Sequence, residues 1–113
     1  MLRNWFAKPR WKTYAAQSGY VYQYVFEGLR GEEEFVFRAT SGPEIEMTLA
    51  VILDAEALEA WVAENRPLTE MERYGIAKMA LMRALDDQAP ESPRAAIRPS
   101  RAEVVAICRQ LDL

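Results

Sequence analysis

The densest run of chemistry-bearing side chains lies at the start of the chain. Arg3, Trp5, Phe6, Lys8, Arg10, Trp11, Lys12 and Tyr14 interleave cations with aromatic rings. Rings stack on unpaired bases while lysine and arginine neutralise phosphate, so this composition suits single-stranded nucleic acid. Aromatic rings beside cations also suit a membrane interface. The opposing expectation is that Trp5, Phe6 and Trp11 pack on the body of the protein while Arg10 and Lys12 meet its acidic surface. Residues 1–18 carry +4 and no acid, whereas residues 19–113 hold 10 basic and 17 acidic side chains, a balance of −7. Such a body attracts its own basic arm and repels a polyanion. Docking of the arm is therefore preferred to nucleic acid. Trp5, Phe6, Arg10, Trp11 and Lys12 are the candidate binding residues.

Elsewhere the chemistry is sparse. The chain has no histidine, which removes the commonest general base, the usual nucleophilic triads and the commonest transition-metal ligand. A single cysteine excludes a disulfide or a Cys/His zinc site within one chain. No glycine-rich phosphate loop is present, and neither a metal site nor a cofactor is expected. Glu27 and Glu34 are expected opposite each other on neighbouring strands, beside Glu32, Glu33 and Arg30. Paired carboxylates can bind a hard cation or share a proton, but near a hairpin tip they are more often solvated. Asp86-Asp87 closes a helix with the wrong sign for the helix dipole, which is odd without indicating chemistry. Cys108 falls on an apolar helical stripe and reads as inert core. Gly75 inside a helix costs roughly 1 kcal/mol against alanine, and close approach of the sheet or of Trp61 is the expected reason.

The elements that position these residues follow from periodicity. Residues 20–53 alternate in period two around turn signals at Gly28-Leu29-Arg30-Gly31 and Ser41-Gly42-Pro43, which predicts a three-stranded antiparallel meander. With turn centres at Arg30-Gly31 and Gly42, Phe26 faces Phe35, Tyr24 faces Phe37, Phe37 faces Met47 and Phe35 faces Leu49, all on one side. The other side, with Val21, Gln23, Val25, Glu34, Val36, Arg38, Glu46 and Thr48, is mixed and free to meet water, the arm or another chain. Asp54 caps a helix over 55–66, Thr69 and Glu72 form a capping box for a helix over 70–86, and Ser100 and Glu103 form another for 101–111. Residues 87–99, rich in proline, read as a loop.

The order of three strands then three helices predicts an α+β fold, with an antiparallel sheet packed on one face by helices. At 113 residues, half hydrophobic and 27% charged, the chain fits one domain over 1–113. The first nine residues lack the apolar run of a leader, and the longest apolar stretch, Met47 to Leu53, is too short to span a bilayer. A cytoplasmic location is the expectation. The leading functional expectation is a non-catalytic protein-interaction module, self-associating as a homodimer. The alternatives are a nucleic-acid-binding accessory protein acting through the arm, and a small enzyme using carboxylate and tyrosine chemistry.

Overall fold

The structure, a computed structural model, describes residues 1–87 and 94–113. It is α+β. Among the described residues six strands form one mixed sheet: β1 (Leu2–Arg3), β2 (Lys12–Ala15), β3 (Val21–Arg30), β4 (Glu34–Ser41), β5 (Ile45–Ile52) and β6 (Arg94–Ile97). The helices are α1 (Ala55–Glu64), α2 (Glu70–Asp87) and α3 (Arg101–Gln110).

The expected meander is β3-β4-β5, and its inward face is the one anticipated. Its register differs by two residues. Phe26 pairs with Phe37, Leu29 with Phe35, Phe37 with Leu49 and Phe35 with Val51. The first hairpin turns through the three residues 31–33, which alone would invert the facing of everything beyond it. A bulge between Phe26 and Gly28 restores the parity and returns Phe26, Tyr24 and Tyr22 to the core side. Gly28 at the bulge has φ +147°, and a Cβ there would sit 2.9 Å from the Cβ of Leu2. Only glycine tolerates both the dihedral and the approach.

Two corrections extend the sheet. The segment expected as a loop over 87–99 contains β6, which runs parallel to β5 through Thr48↔Arg94 to Val51↔Ile97, so the sheet is mixed; residues 88–93 lie outside the described part. Parallel pairing needs a crossover, and α1 and α2 provide one. The arm also joins the sheet. Both β1 and β2 pair antiparallel with the free edge of β3, β1 at Leu29-Arg30 and β2 at Val21 to Tyr24. The arm is docked, but as an edge strand broken over residues 4–11 rather than as a cover for the outer face, and among the described residues Arg10 and Lys12 do not meet the acidic surface as expected.

The helices pack on the inward face. Phe35, Phe37, Val51, Ile76, Leu81, Val104, Ile107 and Cys108 are fully covered there, and Trp61 and Leu49 nearly so. All three start signals are realised. Asp54 accepts from the Ala57 amide, while Thr69 with Glu72 and Ser100 with Glu103 close reciprocal boxes. Gly75 is not a close-approach position. A Cβ there would meet only Leu111 Cδ1, at 3.6 Å, an ordinary contact. No described helix is long and apolar enough to cross a membrane.

Candidate functional site: a basic aromatic cleft under the arm

The interruption between β1 and β2 creates the site. Asn4 holds its near end: Nδ2 donates to the Phe26 carbonyl at 3.0 Å, beside the bulge, and Oδ1 accepts from the Phe6 amide at 2.9 Å. A strand carbonyl is thereby satisfied where the edge has lost its ladder partner. Arg3 ties the same end to α2 through both guanidinium nitrogens on the Glu70 carboxylate, one at 2.8 Å. The pairing lowers the Glu70 pKa, through the direct Arg3 bond first. Trp5 then turns inward against Phe26 (5.3 Å between centroids) and Tyr74 (5.9 Å), and Phe6 meets Tyr74 edge-on at 5.2 Å. The chain loops out through Lys8-Pro9-Arg10 and rejoins the sheet at Lys12, the partner of Tyr24.

A cleft of about 480 Å³ lies beneath this loop. Phe6, Tyr24, Phe26 and Tyr74 wall it, Lys8, Arg10 and Lys12 rim it, and its lining contains no acid. Lys78 stands one helical turn beyond Tyr74, on the same side of α2, with its ammonium beside that of Lys12. This neighbour pushes the Lys12 pKa below the ordinary lysine range, and Arg10 adds to the effect. Among the described residues, Lys8, Arg10, Lys12 and Lys78 have no acid within ion-pair distance. Among the described residues, cations thus gather on an aromatic cavity whose lining holds no acid, which makes its field positive beside apolar rings.

The five sequence candidates divide. Phe6, Arg10 and Lys12 come together in the cleft. Trp5 backs its wall. Trp11 lies on the opposite face of the sheet, its ring 5.1 Å from the Arg38 guanidinium, which also reaches Glu27 at 2.8 Å. Of the three aromatics, Phe6 and Trp11 stay 40% and 46% exposed, so the expected covering of the arm is only partial. Sequence reasoning missed Tyr74 and Lys78, whose four-residue spacing was the available signal.

The carboxylate expectations are corrected. Glu27 falls at the bulge and pairs with Arg38, while Glu34 pairs with Arg30 at 3.1 Å; the two acids are not opposite each other. Among the described residues no group of three His, Cys, Asp or Glu is placed to hold a metal ion. Asp86 has a structural role: it accepts from the Tyr14 hydroxyl and from the Gln17 amide. Cys108 is buried, and burial raises its thiol pKa, as an inert core residue requires. A second concavity, between α1 and the start of α2, is lined by Leu58, Val62 and Leu68 with Glu59 and Arg73, and it gathers no charge of one sign.

Comparison with protein-family models, with curated proteins and with solved structures finds no match to this chain.

Proposed function

We propose that the chain is a non-catalytic binding module whose arm shapes a cleft for a ligand joining an anionic group to a flat apolar body. The observation that carries this is the gathering of Lys8, Arg10 and Lys12 on an aromatic cavity lined by no acid, with Lys78 adjoining Lys12 outside that lining. The cavity lies within the size range of small-molecule sites. Its lining offers no carboxylate, so the carboxylate part of the enzyme alternative finds no support there, whereas Tyr24 and Tyr74 do line it. A reducing compartment such as the cytoplasm suits the single buried thiol.

The test is fluorescence titration with anilinonaphthalene sulfonate, an anionic aromatic probe. Phe6→Ala and Lys12→Gln should each weaken binding several-fold, while Trp11→Ala on the opposite face should not. Equal binding by all four proteins would refute the cleft.

Self-association is the second reading. It is favoured by Trp11 and Val21, 46% and 55% exposed on the outer sheet face, opposite the described helices. The test is mass by light scattering for the native chain and for Val21→Lys. A dimer lost in that variant supports the reading, and a monomeric native chain ends it.

A further inference from the structure

We infer that the cleft seats a nucleoside monophosphate, a phosphomonoester of a sugar that bears a flat base, with Lys12, Arg10 and the adjoining Lys78 around the phosphate and Phe6 against the base. This rests on the cleft proposed above and names its ligand class.

Charge count selects the anionic end. Lys8, Arg10 and Lys12 line one cavity with no acid among its lining residues, and Lys78 adjoins Lys12. One carboxylate or one internal phosphodiester brings a single negative charge. A phosphomonoester brings about −1.5 to −2 at pH 7, with three strong acceptor oxygens. It alone among these brings more than one negative charge to a lining that holds three cations and no acid. The acidic body, at −7 over residues 19–113, also disfavours a long polyanion over a compact one.

Aromatic geometry selects the other end. Tyr24 and Phe26 are nearly buried at the floor, 5% and 6% exposed, whereas Phe6 keeps 40% of its surface open. A ring entering beneath the loop meets Phe6 as the accessible stacking surface, with Tyr74 edge-on to it at 5.2 Å. Base-on-aromatic stacking contributes about 1–3 kcal/mol and tolerates any base, so discrimination among bases is expected to be weak. Tyr24, the cross-strand partner of Lys12, also lines the cleft.

The test is isothermal titration of the full-length protein with AMP, UMP, adenosine, inorganic phosphate and an oligothymidylate lacking a terminal phosphate. AMP and UMP should bind with similar affinity, and adenosine and phosphate should each bind at least about tenfold more weakly. Lys12→Gln and Lys78→Gln should each cost about tenfold, the scale of one charge-assisted contact. Unchanged thermal melts would show that these variants remain folded. Overturning results are nucleotide binding indifferent to both lysines, or an unphosphorylated oligonucleotide that binds more tightly than AMP, which would identify a strand as the ligand. If anilinonaphthalene sulfonate binds with Lys12 and Phe6 dependence while no nucleotide does, the nucleotide inference falls and the cleft stands. If neither binds, both fall.

Discussion

The Tyr14 hydroxyl lies 2.8 Å from both carboxylate oxygens of Asp86, a residue 72 positions away. The contact joins β2 to the end of α2, and the Gln17 amide and the Ser18 hydroxyl extend it, the latter to the Leu85 carbonyl at 2.7 Å. An acid at a helix C-terminus opposes the dipole. Here the Tyr14 hydroxyl from β2 and the Gln17 amide from the turn after it compensate for it, and the returning half of the arm gains its attachment to the helix layer.

Tyr14→Phe should therefore destabilise the fold by about 1–2 kcal/mol, the loss of a hydrogen bond to a charged acceptor in a partly solvated site. Burial first, and Asp86 second, push the Tyr14 pKa up to about 12. The neutral phenol is thus favoured in the folded state. Its contribution is complete below pH 10 and disappears as pH rises toward 12. Urea unfolding between pH 9 and 12 should show a steeper decline for the native chain than for Tyr14→Phe.

Two glycines should respond in opposite directions. Gly28→Ala forces a side chain into a positive φ and against Leu2, and should cost about 1–3 kcal/mol. Gly75→Ala adds an ordinary contact with Leu111 Cδ1, at 3.6 Å, and should stabilise α2 by about 0.5–1 kcal/mol. Thermal melts of the two variants check this, and a loss of stability in Gly75→Ala would contradict the geometry.

The capping boxes give a third expectation. Thr69→Ala and Ser100→Ala should each cost about 1 kcal/mol. Glu72 is held far below the usual carboxylate range, at about 2, by Arg66 first and the Thr69 amide second. Stability that depends on its ionised form is full above the ordinary glutamate range and is lost as pH falls toward 2. Glu72→Gln should flatten the acid limb of the stability profile in that window.

Trp61, 6% exposed in the core and 5.4 Å from the Arg66 guanidinium, is the test of the helix-on-sheet packing. Trp61→Ala should cost about 3–5 kcal/mol. Chemical denaturation measures it, and a loss under 1 kcal/mol would mean that α1 is not anchored through this ring.

What was legible in the sequence was what short-range rules encode. Phe26, Phe37 and Leu49 announced their shared face by alternation, and Thr69 and Ser100 announced their helices by cap chemistry. Between β3 and β4 the register differs by two because a three-residue turn and a bulge act together, and neither has a unique signature in Glu27-Gly28 or Gly31-Glu32-Glu33; between β4 and β5 it differs because the turn spans residues 42–44 and centres on Pro43 rather than Gly42. Strand β6 was missed for a different reason. Arg94-Ala95-Ala96-Ile97 has one large apolar residue and lies between prolines, the composition of a protected edge rather than of a central strand. At the cleft, Phe6, Arg10 and Lys12 were readable because they share one segment. Lys78 was not, because its meeting with Lys12 depends on where α2 crosses the sheet.

The parallel pairing of β6 with β5 sets an order of assembly. Strands β3, β4 and β5 are hairpin neighbours and can zip within microseconds, whereas β6 must wait until α1 and α2 have returned the chain across the sheet. Its four residues repay that loop closure with little buried surface, since three of them remain exposed. In native-state hydrogen exchange, the amides of β6 should thus open well before those of β4, and the last strand to join should be the first to leave.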